Sequence, residues 1–374
     1  MTLTDKTSVL RNKIKLKQSK ICIMGLGQVG IPTSLSFLKA GFKVIGYDVD
    51  RDLVKMLSKG KCNIPEQGLN ELIYKYIDKD LLGLTSDPKS IGDSDVIIIC
   101  VPTPLDLKGN KADLTFLKNA TSQVAKFLTS EKLIVIESSI PPMTMEEFII
   151  PTLEHISGQK AGKDFLVSFC PERIAPGKAL DEFRTNDRII GSNDEESYIA
   201  TYLLFKDLTS GRIHRTDVRT AEISKLAENS YRDINIAFAN ELAILCEQFR
   251  VDVMDVIKAA NTHPRVNIHR PGAGVGGPCI PKDPYLLIMG KRFKSSIIRT
   301  ARAVNESMPA HVAQILIDVI NRNRKQENLK ILILGVSYKP DTCDSRNSPT
   351  EGILLALKQA GFKDISAHDP FVTS

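Results

Sequence analysis

Short apolar runs recur along the first 210 residues, and most of them end in a polar or proline-rich turn. The clearest runs span residues 20–24, 95–101, 132–137 and 165–169. Helical patterns separate them, and strands that are apolar along their whole length are typical of a parallel sheet covered on both faces. The pattern therefore predicts an α/β domain of the Rossmann type at residues 20–210.

Polar residues follow three of these runs at the point where each predicted strand ends. Thr103 lies in the turn PTP, Ser139 in SSIPP and Glu172 in CPER. Because the carboxyl ends of parallel strands meet at the edge where doubly wound folds bind ligands, we expect these residues to line one cleft. Taken singly, each residue is more typical of a turn or a helix cap.

A glycine-rich turn, GLGQVG, follows the first run at once. A helical pattern then closes at Gly41, and a second strand pattern ends at Asp48. This order is that of a dinucleotide-binding unit, in which the glycines let a pyrophosphate reach the helix N-terminus. The carboxylate of Asp48 can bind a ribose 2′-hydroxyl and would repel the 2′-phosphate of NADP, which favours NAD. The positive charge of the nearby Arg51 weakens this preference for NAD over NADP. We expect NAD as cofactor, bound by Gly25, Gly27, Gln28, Val29, Gly30, Asp48, Arg51, Thr103 and Ser139.

A helical pattern replaces the alternation from residue 219 onward. Some thirty residues pass without Gly or Pro, and their apolar positions recur near 3.6-residue spacing, which predicts one long helix. Further helical patterns complete a central helical domain at 211–325, whose long helix we expect to form a homodimer face. Lys225 and Asn229 share one face of this helix, and such a pair usually marks a solvated face.

The stretch from Gly272 to Pro284, GAGVGGPCIPKDP, places one thiol among glycines. Glycines leave room beside Cys279, and the cation of Lys282 would favour the nucleophilic thiolate. Asp283 could hold a water for hydrolysis of whatever the sulfur captures. The alternative interpretation is a loop around a buried structural cysteine.

A second strand and helix pattern closes the chain at residues 326–374. Only two strands are predicted there, at 329–336 and 363–367, and two strands do not make a stable sheet layer unaided. We therefore expect a second, incomplete Rossmann-like domain that does not naturally end at Ser374. The predicted fold class is α/β, with a Rossmann-type domain, a central long-helix domain and this partial domain.

Composition and charge narrow the function. The 50 Lys and Arg against 44 Asp and Glu give a modest net charge of +6, which suits an anionic small substrate and gives little support for nucleic-acid binding. The seven cysteines form no CxxC pair, so no metal site is predicted. Their number is odd, and Cys22 and Cys100 lie in apolar strand patterns, so a reduced, cytoplasmic setting is expected. Residues 1–19 are basic and precede no signal-peptide or membrane-spanning segment, so we interpret them as a solvated tail.

Taken together, the motifs resemble those of the nucleotide-sugar 6-dehydrogenase family from about residue 20 onward. The motifs that carry the resemblance are GLGQVG, VPTP, ESSIPP, PERIAPG, AEISKLAENSYRDINIAFANELA, HPRVNI, PGAGVGGPCIPKDP and GVSYKPDTCDSRNSP. HPRVNI and PERIAPG point to the mannosamine branch. The resemblance implies a four-electron oxidation of the C6 alcohol of a UDP-sugar with two NAD⁺.

The resemblance also implies roles for single residues. Cys279 would be the nucleophile, Lys225 and Asn229 would hold the developing oxyanion, and Asp283 would activate water. Glu172 and Ser139 would complete the catalytic cleft. The remaining substrate contacts implied are Arg173, Arg265 from a partner subunit, Gly276, Lys339 and Arg346.

The sequence departs from the family pattern at three positions. Pro176 stands where the UDP-glucose branch has a second glutamate, Pro278 stands in place of a histidine, and Met143 in place of a glycine. UDP-N-acetylglucosamine and UDP-glucose stay open as substrates of the same reaction. Two alternatives of other kinds also stay open: a one-step hydroxyacid dehydrogenase, which needs no cysteine, and a truncated nucleotide-sugar binding protein without turnover.

Overall fold

The computed structural model describes residues 3–64, 66, 68–106, 111–174, 177–289, 296–322 and 329–372. The chain divides into two compact units, residues 1–225 and 226–374. No helix of the described ranges is long and apolar enough to cross a membrane. The predicted boundaries at 19/20, 210/211 and 325/326 stay predictions.

The first unit is built from strands that alternate with helices. Its strands are β1 (Lys20–Met24), β2 (Lys43–Tyr47), β3 (Leu82–Thr85), β4 (Val96–Ile99), β5 (Leu105–Asp106), β6 (Lys111–Ala112), β7 (Leu133–Ile136), β8 (Leu166–Phe169), β9 (Arg188–Gly191) and β10 (Ile213–Thr216). Its helices are α1 (Leu3–Lys15), α2 (Gly30–Lys39), α3 (Arg51–Leu57), α4 (Leu69–Asp78), α5 (Lys89–Gly92), α6 (Thr115–Phe127), α7 (Ile150–Ser157), α8 (Ala179–Thr185) and α9 (Glu195–Phe205). A π-helical segment, Met145–Ile149, leads into α7.

Eight of these strands form one sheet in the order β10-β9-β8-β7-β4-β1-β2-β3. All neighbours are parallel except β8 and β9, which pair antiparallel through Phe169 and Gly191. The predicted α/β fold class is confirmed. The loops after β1, β2, β4, β7 and β8 consequently leave the sheet at one edge, where doubly wound folds bind ligands.

Alternate residues of each strand enter the two hydrophobic cores on opposite faces of the sheet. In β1, Ile21 and Ile23 join one core, whereas Cys22 and Met24 join the other. Side chains of a strand point alternately to its two faces, so a sheet covered on both sides requires apolar residues at every position. This is why the strand runs in the sequence are continuous rather than alternating.

The expectation of a solvated basic tail is wrong. Residues 3–15 form α1, which packs against α9, and Leu10 and Ile14 are only 2% and 1% exposed within the first core. These two apolar residues are four positions apart, so they share one helical face. The pair was not apparent in the sequence because lysine and arginine residues occupy many of the positions around it.

The second unit is mainly helical. Helix α10 (Val218–Phe249) begins in the first unit and continues into the second, followed by α11 (Val253–Ala260), α12 (Asp283–Ile288), α13 (Ile297–Arg322), β11 (Ile331–Leu334), α14 (Pro349–Gln359) and β12 (Ile365–His368). The long predicted helix is thus present. Strands β11 and β12 pair in parallel, and α13 packs on α14 over a small core that includes Ile331 and Leu357.

Replacing Leu10 with alanine tests whether α1 belongs to the core. We expect Leu10→Ala to lower the free energy of unfolding by about 2–5 kcal/mol, because it leaves a cavity in a packed core. The matched control is Leu16→Ala at a side chain that is 66% exposed, with an expected change within about 0.5 kcal/mol. Urea denaturation measures both, and equal effects would show that α1 does not contribute to the core.

Candidate active site

The turn between β1 and α2 uses its three glycines in different ways. Gly25 has φ +93°, and its N–H donates to the carbonyl of Tyr47 at 2.9 Å. A Cβ on Gly30 would lie 1.8 Å from the carbonyl oxygen of Gly25, so the fold itself requires a glycine there. A Cβ on Gly27 would meet no atom within 4 Å. Gly27 therefore leaves open space at the turn, as the close approach of a pyrophosphate requires.

Asp48 lies directly after β2 and faces this turn. Its Oδ2 accepts the N–H of Leu26 at 2.7 Å, and its Oδ1 accepts the N–H of Asp50 at 3.0 Å. Each carboxylate oxygen has a second lone pair, so the group can still accept from ribose hydroxyls. Gln28 and Val29 complete the turn before α2, and Arg51 is exposed at the start of α3.

The loops after β4 and β7 meet as expected. The hydroxyl of Thr103 donates to the backbone carbonyl of Ser139 at 2.6 Å, and the hydroxyl of Ser138 donates to the carbonyl of Val101 at 2.7 Å. Thr103 is buried and Ser139 is half-buried. Two of the three predicted cleft residues are therefore in direct contact.

Glu172 has a partner that the sequence did not reveal. Its Oε2 lies 3.1 Å from Nη1 of Arg188 in an ion pair that is almost fully buried, and its Oε1 accepts the N–H of Arg173. The guanidinium of Arg188 also lies 3.9 Å from the ring centroid of Phe183. Arg188 is on β9, whose short sequence shows little strand pattern.

Arg173, a predicted substrate contact, follows Glu172. Its side chain donates to the carbonyl of Asp187 at 2.8 Å.

A second buried carboxyl, Glu137, lies beside this pair and was also missed. Its Oε2 accepts from the hydroxyl of Thr33 at 3.1 Å and from the thiol of Cys100 at 3.2 Å. Burial and then the charge of Glu172 raise the pKa of Glu137 to about 7, although Arg188 opposes the shift. Its position directly before SSIPP was the only signal in the sequence.

Lys225 and Asn229 lie on α10 and are only 8% and 7% exposed. The interpretation of this helical face as solvated is therefore wrong. The amide of Asn229 donates to Oδ2 of Asp283 at 2.6 Å, and Asp283 is fully buried. Asn229 thus orients the carboxylate that the sequence assigns to water activation.

The glycine-cysteine loop is held at both ends by α10. The N–H of Gly272 donates to Oδ1 of Asn240 at 2.8 Å, and the loop ends at Asp283, which Asn229 binds. Cys279 is exposed between these anchors, so the alternative of a buried structural cysteine is contradicted. The carbonyl of Cys279 accepts the N–H groups of Lys282 and Asp283. The ammonium of Lys282 lies 3.6 Å from Oδ1 of Asp283.

The loop after β11 packs against the glycines before Cys279. A Cβ on Gly276 would lie 2.5 Å from the Cβ of Tyr338, so a side chain there is excluded. The N–H of Gly277 donates to the carbonyl of Arg346 at 2.9 Å. The guanidinium of Arg346 binds both oxygens of Asp344, at 2.9 and 2.6 Å, and these bonds fix its orientation. Lys339, on the same loop, is half-buried.

The other predicted residues are more dispersed. Arg265 is exposed on the loop after α11, and its N–H donates to Nδ1 of His263. Pro176 lies outside the described residues. Within the described ranges, no group of three or more His, Cys, Asp or Glu side chains is arranged to hold a metal ion.

Comparison with known protein families gives three matches along the chain. The NAD binding domain of the UDP-glucose/GDP-mannose dehydrogenase family matches residues 19–209, its central domain matches 219–307 and its UDP binding domain matches 332–374. A glycine-turn NAD domain combined with a UDP-binding domain defines an NAD-dependent nucleotide-sugar dehydrogenase. The chain belongs to the UDP-glucose/GDP-mannose dehydrogenase family, and the resemblance seen in its motifs is confirmed.

Individual relatives are similar over nearly the whole chain. The UDP-N-acetyl-D-mannosamine dehydrogenase of Pyrococcus horikoshii is 40% identical over 354 residues, which cover 94% of this chain and 84% of the relative. A solved structure of UDP-D-ManNAc dehydrogenase from the same organism has a TM-score of 0.90 at 39% identity, covering 95% of this chain and 84% of that one. The UDP-N-acetyl-mannosamine dehydrogenase structure from Staphylococcus aureus has a TM-score of 0.86 at 38% identity, covering 95% and 83%.

Two glycine substitutions separate binding from folding in the β1–α2 turn. We expect Gly27→Ala to keep the unfolding midpoint but to raise the Kd for NAD about tenfold or more, because its methyl group fills the space left for the pyrophosphate. Gly30→Ala should instead destabilise the protein by about 1–3 kcal/mol or more, because its methyl group overlaps a carbonyl oxygen. Calorimetric titration and thermal melting measure the two effects. Unchanged NAD binding by Gly27→Ala would contradict the assignment.

Proposed function

We propose that this chain oxidises the C6 hydroxyl of UDP-N-acetyl-D-mannosamine to a carboxylate. The overall reaction consumes one sugar, two NAD⁺ and one water, and yields the uronate, two NADH and three protons. NAD, when bound, accepts the hydride in each of the two oxidations. The names of the P. horikoshii and S. aureus relatives and the match to a UDP binding domain support this substrate.

One observation carries the proposal: an exposed thiol in a glycine loop that buried amides hold at both ends. Asn240 fixes Gly272 at the start of the loop and Asn229 fixes Asp283 at its end. Cys279 itself stays accessible. A one-step alcohol oxidation needs no such thiol, whereas oxidation to the acid needs a nucleophile that captures the aldehyde.

The roles of the residues follow from their chemistry. The thiolate of Cys279 adds to the aldehyde carbon to form a thiohemiacetal, and loss of a hydride from that carbon gives a thioester. Water then displaces the sulfur, and the carboxylate of Asp283 holds this water. Lys225 and Asn229 stabilise the negative charge that develops on the oxygen, which is often the largest catalytic effect. Thr103, Ser139 and Glu172 shape the cleft, with Glu172 oriented by Arg188.

The nucleotide of the substrate is assigned to the loop after β11. Lys339 and Arg346 lie on this loop, and a guanidinium already fixed by Asp344 loses little freedom when it binds a phosphate. Arg173 and Gly276 are assigned to the sugar side, and Arg265 to the site of a partner subunit. A cytoplasmic location is supported by the seven free cysteines, because disulfides persist in oxidising compartments.

We also propose a homodimer through α10. Tyr231, Phe238 and Leu245 are spaced by seven residues, so they lie on one helical face, and they are 63%, 52% and 47% exposed. A second copy of the same helix is an occupant of matching length and periodicity. Burying this stripe in a symmetric contact would remove a large apolar surface from water.

The reaction is tested with purified enzyme, NAD and three sugars: UDP-N-acetylmannosamine, UDP-N-acetylglucosamine and UDP-glucose. We expect two NADH per sugar and the highest kcat/KM with the mannosamine sugar. Cys279→Ser should bind NAD normally and form no acid, because a serine hydroxyl is a far weaker nucleophile. Cys62→Ser, at a partly exposed cysteine away from the predicted site residues, is the control and should stay active.

The other outcomes separate the alternatives. One NADH per sugar would indicate a one-step dehydrogenase, and sugar binding without NADH would indicate a binding protein. A higher kcat/KM with UDP-glucose or UDP-N-acetylglucosamine would reassign the substrate. Normal acid production by Cys279→Ser would exclude the covalent mechanism.

The dimer is tested by placing a charge on the stripe. We expect the wild type to sediment at twice its chain mass of 41.4 kDa, and Phe238→Glu to sediment as a monomer, because a buried unpaired carboxylate opposes association. Tyr74→Glu, at an aromatic side chain on α4 that is 64% exposed, serves as control and should remain dimeric. A monomeric wild type, or a dimeric Phe238→Glu, would refute this interface.

A further inference from the structure

A buried carboxylate on α10, Glu222, has no role in the reaction described above. Its Oε2 accepts the N–H of Met143 at 2.7 Å, and its Oε1 accepts the N–H of Met145 at 2.8 Å. The side chain is fully buried. Both oxygens of one carboxylate are thus used to hold two backbone amides of another segment.

The segment that Glu222 holds follows the loop of Ser139 directly. Met143 has φ +73°, a left-handed conformation that non-glycine residues rarely adopt. At its far end the segment continues into the π-helical turn Met145–Ile149. An unfavourable backbone conformation persists only where its surroundings hold it, and the two hydrogen bonds that the carboxylate of Glu222 accepts do so here.

Lys225 lies three residues after Glu222, about one helical turn further along α10. A bond that fixes Glu222 to the Ser139 segment therefore also fixes the register of Lys225 relative to that segment. We propose that Glu222 is a positioning residue, which holds the start of α10 and the 138–145 segment in the arrangement that the oxidation requires. The role in turnover rests on the proposed function, whereas the restraint on the segment does not.

The charges around Glu222 make this restraint depend on pH. Burial raises the pKa of Glu222 to about 7, and the negative charge of Glu146 on the π-helical segment adds to this shift. The hydrogen bonds from the two backbone N–H groups and the charge of Arg219 on the same helix oppose it. Arg219 and Glu146 are themselves an ion pair. Below pH 7 the carboxyl is protonated, and a protonated oxygen is a poorer acceptor for a backbone N–H.

Stability and positioning then respond to pH in opposite directions. A carboxyl whose pKa is raised in the folded state binds more protons when folded, so its contribution to stability grows as the pH falls from 7 towards 4.5. The hydrogen bonds that Glu222 accepts from Met143 and Met145 weaken over the same pH range. If Glu222 only stabilised the fold, activity and stability would change with pH in the same direction. If it positions the segment, activity falls at low pH while stability rises.

The test compares Glu222→Gln with wild type and with Glu146→Gln, a neighbouring carboxylate that does not bind these two amides. At pH 8 we expect Glu222→Gln to lower kcat about tenfold or more, with the Kd for NAD within about threefold and a melting temperature that is equal or higher. Glu146→Gln should keep kcat within about threefold. The ratio of wild-type to Glu222→Gln kcat should fall towards one below pH 7.

Hydrogen exchange of the Met143 and Met145 amides gives a readout that needs no turnover. At pH 8 these amides should exchange about tenfold or more faster in Glu222→Gln than in wild type, and at a similar rate in Glu146→Gln. Unchanged exchange would overturn the restraint. Faster exchange with normal kcat, or a kcat loss that parallels a loss of melting temperature, would overturn the positioning role. If wild type forms no NADH with any UDP-sugar, the proposed function fails and exchange alone decides the restraint.

Discussion

Helix α10 buries polar side chains on one face, and each of these side chains needs a hydrogen-bond partner. Glu222, Asn229, Asp233 and Asn240 are separated by seven, four and seven residues, so they lie on one side of the helix. Each is buried, and a buried polar group without a hydrogen bond is costly. Glu222 binds the segment after Ser139, and Asn229 and Asn240 hold the two ends of the cysteine loop. One helix therefore fixes the backbone at several predicted site residues.

The same helix exposes apolar side chains on its opposite side. At about 100° per residue, Tyr231 and Phe238 lie about 160–180° from Glu222 around the helix axis. In the usual amphipathic helix the apolar face is buried and the polar face is solvated. Helix α10 instead buries polar side chains together with apolar ones such as Leu226, and it exposes aromatic side chains.

The turns after β1 and β11 have the same local backbone structure. Gly25 and Gly335 have φ +93° and +100°, and each donates its N–H to the last residue of the paired strand, at 2.9 and 2.8 Å. Asp48 and Asp369 follow those strands and accept N–H groups from the loops after the glycines. Asp369 accepts further backbone bonds, which hold its pKa well below the usual range. The turn after β11 thus has the geometry of the turn after β1, although only two strands are paired in its sheet.

Local signals were sufficient for elements whose form depends on their own residues. The glycine turn between β1 and α2 could be predicted because its glycines are close together in sequence. The long helix α10 could be predicted from the helical spacing of its own apolar residues. The burial of Leu10 in a charged segment, the partner of Glu172 on β9 and the burial of Lys225 could not. Each of these depends on groups distant in sequence, which a local pattern of residues cannot reveal. The sequence by itself determined which elements form, whereas tertiary packing decided which of their faces are buried.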